Sequence, residues 1–300
     1  MKSKEIKQKI GSVQNISKIT NAMGLVSAVK MGKAQTLALN SRPFALKVYQ
    51  ILKKLSAHQK KEGATGFYFK ERPVEKILAV VVSSDRGFCG PFNKNILNYA
   101  QKQIQELEKT APVEIAAVGK KSAAFFRKKG RKIKIEFSGI GDFGKLNEIR
   151  PLAELFVKYF EKEYQKIYII FTDFVTTFAQ EPCMVQLLPV EERILEDFLK
   201  ERFPKDFEKI MSEPFLEYVF EPSSKDIYES LVPELVTFEV YHSILEANAS
   251  EHSARMIAMK NASDNAKEII KLLILDYNKA RQEQITSELG EITSAKEAIS

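Results

Sequence analysis

ELVTFEVYHSILEANASEHSARMIAMKNASDNAKEIIKLLILDYNKARQEQITSELGEITSAKEAIS, residues 234–300, decides the fold. It contains no proline, and no glycine before Gly290. Sixty-seven residues without a breaker read as one helix, roughly 100 Å long at ~1.5 Å per residue. No small domain can bury such a helix, so it needs a partner along its length. Its apolar positions supply the seam: Met256, Met259, Ala266, Ile270, Leu273, Tyr277 and Ala280, with Ser263 filling the missing step. Steps alternating between three and four are those of a coiled coil.

The partner is sought at the other end of the chain. Residues 2 to about 57 carry a helical stripe, Ile6, Ile10, Val13, Ile16, Ile19, Met23 and Val26. Gly11, Gly24 and Gly32 interrupt it. They mark either close approach of another backbone or tolerated surface glycines. Pro43 is expected to kink this helix without ending it, because ALKVYQILKKLSA resumes the pattern.

Between the helices the period changes. ILAVVVSS, 77–84, is a continuous β-branched run, as in a strand buried on both faces. Further strands are read at 113–119, 132–137 (an edge), 166–174 and 181–190, with helices at about 92–109, 120–129 and from Pro151 to about Gln165. Strands alternating with helices imply an α/β layer with a largely parallel sheet. The expected fold is therefore a long antiparallel coiled coil of N- and C-terminal helices with an inserted Rossmann-like α/β domain of about five strands. Its parts are the N-terminal helix 1–57, the α/β domain 76–190, an irregular segment 191–222 with a short extended stretch LEYVFEP, and the C-terminal helix 223–300, capped by Ser223 or Ser224. The longer C-terminal helix would outrun its partner by roughly ten residues.

The net charge is +7, unevenly placed. Residues 1–60 hold twelve Lys and Arg against the single acid Glu5, so the other 240 residues sum to −4. A basic arm implies an anionic partner: nucleic acid, lipid headgroups or an acidic protein surface. Cys89 and Cys183 are too few for a disulfide framework, which suggests a reducing compartment. The charged start MKSKEIKQKIGSVQNISK is not a secretory signal, and no apolar run approaches ~18 residues.

SSDRGFCG, 83–90, follows the first strand, where doubly wound folds place ligand loops. Its glycine spacing fits neither the dinucleotide fingerprint nor the phosphate loop. Cys89 lacks an evident base: His58, His242 and His252, the only histidines, all lie on helices outside the α/β part. No metal-ligand spacing is visible. Aromatics do not interleave with the basic arm, which disfavours single-strand nucleic-acid binding. The segment from Glu251 to Ile292 is rich in Asn, Gln, Ser and Thr, as on a helix that hydrogen-bonds to surrounding protein.

Three stretches in order carry a resemblance: IGSVQNISKITNAMGLVSAVKM (10–31), SSDRGFCGPFN (83–93) and EHSARMIAMKNASDNA…YNKARQEQITSELGEI (251–292). The chain resembles, over its whole length, the gamma subunits of F-type ATP synthases, the central rotor shaft. The resemblance implies a proton-translocating machine whose c-ring rotation is coupled through this shaft to the beta-subunit catalytic sites. It implies three alpha and three beta subunits, an epsilon subunit and a c-subunit ring as partners, no cofactor, and no catalytic residue in this chain. It places Met23, Lys30, Lys33, Arg255, Arg281, Gln282, Thr286 and Glu291 against the beta subunits. It places Asp85, Arg86, Cys89, Tyr218 and Glu221 at the foot, against epsilon and the c ring. Membrane association would be indirect, at the cytoplasmic face of a bacterial inner membrane. The sequence departs from the family in Gly24, beside Met23, where a larger residue is expected, and in Ser294, where glycine is frequent. The cysteine-bearing regulatory insert of plant-type members is absent. Two other classes compete: a basic coiled-coil adaptor for nucleic acid using residues 1–60, and an α/β enzyme using Cys89.

Overall fold

The computed structural model describes residues 3–62, 67–69, 72–141, 144–190, 200, 207–208 and 223–297. Helix α1 runs Ser3–Glu62 without a break, with Pro43 inside it. Five strands follow: β1 Ile77–Val82, β2 Val113–Val118, β3 Ile133–Phe137, β4 Lys166–Phe174 and β5 Gln180–Leu188. Between them lie α2 Phe92–Leu107, α3 Lys120–Lys128 and α4 Leu146–Lys162. Helix α5, Ser224–Glu297, closes the chain. Ser223 is its cap: the hydroxyl oxygen accepts the Asp226 N–H at 3.1 Å.

The chain divides into two compact units, Met1–Val29 with Arg255–Ser300, and Lys30–Ala254. In the second, the sheet order is β3-β2-β1-β4-β5, parallel except for the antiparallel β4–β5 pair. The all-apolar β1 lies at the centre, buried along its whole length, and β3 is an edge as expected. Alternation splits the strands between two cores. Leu78, Val80, Val82, Ile167, Ile169 and Phe171 face α4 and the first part of α5. Ala79, Val81, Ile115 and Ile170 face α2 and α3. Helices on both faces of a mostly parallel sheet are the doubly wound arrangement. Residues 232–254 of α5 are mostly buried, with Val232, Leu235, Val236, Val240, Ile244 and Ala247 packed into the core on one face of the sheet.

Helix α4 starts five residues before the expected Pro151. The Glu148 carboxylate accepts the Lys145 N–H (3.3 Å), which secures the first turn. Pro151 is accommodated inside the helix.

In the first unit the two helices run antiparallel. Ser3 Oγ donates to Gln284 Oε1 (3.0 Å), Ser17 and Ser263 hydroxyls meet at 3.4 Å, and Gly24 lies against Met259. On α5 the expected seam holds: Met256, Met259, Ser263, Ala266, Ile270, Leu273, Tyr277 and Ala280 are buried or half-buried, while between 264 and 280 all other residues are exposed.

On α1 the expected stripe fails after Val13. The covered line is Ile6, Ile10, Val13, Ser17, Thr20, Gly24 and Ser27. A seam needs alternating steps of three and four, whereas Val13, Ile16 and Ile19 take two threes and drift off the contact. Small residues let the backbones approach. Their hydroxyls are satisfied within the helix: Thr20 Oγ1 donates to the Ile16 carbonyl (3.0 Å) and Ser27 Oγ to that of Met23 (2.8 Å). Ile16, Ile19, Leu25, Val26 and Val29 are left exposed.

Candidate functional site

Two surfaces carry the candidate residues. The first is the helix pair and the end of α5. From Arg281 to Ser294 every residue of α5 is exposed, because α1 begins opposite Gln284. Arg281, Gln282, Thr286 and Glu291 all lie on this stretch, with the exposed apolar side chains Ile285, Leu289 and Ile292. The Thr286 hydroxyl bonds back to the Gln282 carbonyl (2.9 Å), whereas the Arg281 guanidinium and the Gln282 amide face outward. Met23 is half-buried beside the seam and Lys33 is exposed. Lys30 is half-buried, and Arg255 is only 7% exposed.

The second surface is the loop from Ser83 to Pro91, at the carboxyl end of β1. Asp85 ties it down. One carboxylate oxygen accepts the Lys120 N–H at the start of α3 (2.9 Å), the other the Gly139 N–H after β3 (2.8 Å). Ser83 Oγ accepts the Ser122 N–H (2.7 Å) and the Ser84 carbonyl that of Lys121 (3.1 Å). The opening N–H groups of α3, which in doubly wound folds serve bound anions, are thus occupied by the chain's own oxygens. Asn93, in the first turn of α2, holds the other flank: its Oδ1 accepts the Ser84 N–H (3.2 Å), and its Nδ2 lies 3.0 Å from the Cys89 Sγ.

Cys89 is 2% exposed and packs with Phe92 and Ala254. It faces inward while its neighbours face out: Arg86 is exposed and Phe88 is 75% exposed. Phe88 has φ +61°, a left-handed conformation that costs a non-glycine residue about 1 kcal/mol or more. Phe178, 85% exposed, tops the neighbouring β4–β5 hairpin. Sequence reading singled out neither side chain, because neither the φ that tertiary ties impose on Phe88 nor the exposure of Phe178 leaves a compositional signal.

A cleft of about 190 Å³ lies beside the loop, lined by Ser83, Asp85, Arg86, Gly139, Asn248 and Glu251 among others. At the opposite end of the sheet, Lys134 and Lys76 pair with Glu163 at 3.1 and 3.2 Å, which holds the Glu163 carboxyl below its usual range. Tyr164 donates to Glu114 (2.5 Å); burial, then that carboxylate, pushes its phenol up. These groups satisfy one another and brace the strand starts. Tyr218 and Glu221 lie outside the described residues. Among the described residues no helix is long and apolar enough to cross a membrane.

Comparison with known proteins places this architecture. The family model described as ATP synthase matches residues 2–299. The chain is 39% identical to the ATP synthase gamma chain of Dehalococcoides mccartyi over 98% of both chains. It is 35% identical to that of Herpetosiphon aurantiacus and 36% to that of Roseiflexus castenholzii, each over 99% of this chain and 98% of the relative. In fold it matches a chain from the central stalk and c-ring structure of the Tetrahymena thermophila mitochondrial ATP synthase, with TM-score 0.60 and 23% identity over 82% of this chain and 99% of that one. A chain of the Euglena gracilis mitochondrial ATP synthase rotor matches with TM-score 0.60 and 17% identity, over 94% and 98%. With near-complete coverage in both directions, the chain belongs to the ATP synthase gamma-chain family.

Proposed function

We propose that this chain is the turning shaft of a proton-driven ATP synthase and performs no bond chemistry itself. The observation that carries this reading is the end of α5. Fourteen consecutive exposed residues stay helical while leaving Ile285, Leu289, Ile292, Arg281 and Gln282 uncovered by the described residues. Such a surface is built for enclosure by other subunits. The partners are three alpha and three beta subunits around the helices, with epsilon and the c ring at the foot. In the mechanism, each angular position of an asymmetric shaft stabilises a different set of beta conformations, so rotation and nucleotide state are linked as coupled equilibria.

Arg281 and Gln282, with Thr286 and Glu291 nearby, hydrogen-bond to a beta-subunit loop. Met23, Lys30 and Lys33 meet acidic lever segments, where screened contacts let the shaft slide, and Arg255, only 7% exposed in the chain, belongs to the same coupling region. At the foot, Arg86 and Phe88 make the contact and Asp85 and Cys89 shape the loop; Tyr218 and Glu221 complete that surface. The chain is held at the cytoplasmic face of a bacterial inner membrane by these partners.

The test is the Arg281→Ala, Gln282→Ala double variant in the assembled complex. ATP-driven proton pumping and ATP synthesis drop several-fold while the complex still assembles. Unchanged pumping and synthesis would sink the assigned contact. Co-purification of the unaltered chain with nucleic acid, and without alpha and beta subunits, would favour the adaptor reading instead.

A further inference from the structure

One run of charge, apart from the Lys134–Glu163 pair, lies outside everything assigned above. Between Lys120 and Lys134 the chain carries eight Lys and Arg and no Asp or Glu, in KKSAAFFRKKGRKIK. The acids elsewhere in the chain mask this run in the overall balance. Helix α3 sorts it by face. Ser122, Ala123 and Phe126 are buried against the sheet, while Lys120, Lys121, Ala124, Arg127 and Lys128 share the opposite, exposed face. Lys129 and Lys132, in the turn that follows, are exposed too.

Some of these cations have partners. Arg127 pairs with Glu136 (2.6 Å), Arg131 with Glu108, Lys134 with Glu163, and the Lys129 ammonium lies 5.8 Å from the Phe125 ring centre. Lys120, Lys121, Lys128 and Lys132 have no carboxylate within salt-bridge distance among the described residues. They lie within thirteen residues at the β3 edge of the sheet.

The shape of this patch narrows its partner. It is the convex side of a helix, so it does not enclose a small anion. Its only exposed uncharged side chain on α3 is Ala124, and the half-buried Phe125 ring packs against Phe126 at 5.2 Å with Lys129 over it, so the face offers no open stacking platform or apolar anchor. The uncommitted cations are all lysines, which act as hydrated point charges without the fork geometry of arginine. Such a face suits a broad anionic surface whose charges average laterally. We propose that the outward face of α3 is an electrostatic docking surface for anionic phospholipid headgroups. The shaft reading above supplies only the premise that a membrane lies at hand; binding to lipid is a property of this chain and can fail without that reading failing.

The test measures sedimentation of the full chain with vesicles of phosphatidylcholine alone or mixed with phosphatidylglycerol. It compares two variants of equal charge loss: Lys120→Gln, Lys121→Gln, Lys128→Gln, Lys132→Gln, and Lys4→Gln, Lys7→Gln, Lys9→Gln, Lys18→Gln. The second set lies on α1, in the other compact unit. All eight positions are exposed, so both variants keep their circular dichroism. The α3 variant loses at least about tenfold in partition onto the phosphatidylglycerol vesicles, and the α1 variant changes by less than about threefold. Equal losses would reduce the effect to net charge and overturn the proposal. Binding that ignores phosphatidylglycerol would overturn it too. So would an α3 variant that binds vesicles normally but fails to join its protein partners, which would assign the face to an acidic protein.

Discussion

Two glycines with opposite requirements test the packing at single residues. Gly24 lies in the α1 seam in helical conformation, and an added Cβ there would meet the Met259 Cβ at 3.6 Å, ordinary van der Waals contact. Alanine relieves the entropic cost of glycine in a helix interior without a clash, so Gly24→Ala raises stability by roughly 0.5–1 kcal/mol. Gly119 has φ +95°, and a Cβ there would fall 2.2 Å from the Ser83 carbonyl oxygen. That backbone approach is what lets Ser83 and Asp85 reach the start of α3. Gly119→Ala therefore costs about 3 kcal/mol and loosens the loop that presents Arg86 and Phe88. Denaturant unfolding of the two variants checks both signs; a destabilised Gly24→Ala would mean that the seam is tighter than its 3.6 Å spacing. In a sequence the two glycines look alike, because the difference lies in φ and in the backbone opposite.

At the scale of elements, α5 shows what can be read from a pattern and what cannot. Its seam was legible because Met256, Ile270, Leu273 and Tyr277 are large apolar residues at the spacing a partner demands. The matching seam on α1 was not legible beyond Val13. Ser17, Thr20, Gly24 and Ser27 carry no hydropathy signal, while the conspicuous Ile16, Ile19 and Val26 face outward. The five strands, the parallel sheet and the edge position of β3 followed from period and β-branching. The start of α4 did not, since it depends on a Glu148 side chain reaching back to a residue that rarely caps. The roles within the 83–91 loop were equally hidden: Asp85 bonds to residues 35 and 54 positions away. The exposure pattern of α5 predicts a gradient in hydrogen exchange. Amides in 256–280, covered on one side by α1, exchange slowly in the isolated chain; those in 281–294, with solvent on every side, exchange at least about tenfold faster. Uniform protection to the end of the helix would show that another contact covers the tail.

At the scale of the molecule, the first unit is incomplete as a globule. Ile16, Ile19, Leu25, Val26 and Val29 on α1 and Ile269, Leu272, Leu275, Ile285, Leu289 and Ile292 on α5 are all exposed, far more large apolar surface than a solvated helix pair needs. Among the described residues, the two helices cover for each other mainly the line of small residues on α1 and the alternating line on α5. The second unit has two closed cores, one on each face of its sheet. Stability is therefore unequally distributed, and the helical unit depends on its surroundings. A partner that binds only the folded form stabilises by mass action, about 2.7 kcal/mol when present at a hundredfold over its dissociation constant. The isolated chain is expected to bind a hydrophobic dye and to lose helical signal in a broad early transition, before the sheet unfolds. Assembly with the alpha and beta subunits proposed as its partners should abolish dye binding and raise the helical transition to that of the complex. A single sharp transition with no dye binding in the isolated chain would show that the helix pair is self-sufficient, and the exposed apolar faces would then need a different explanation.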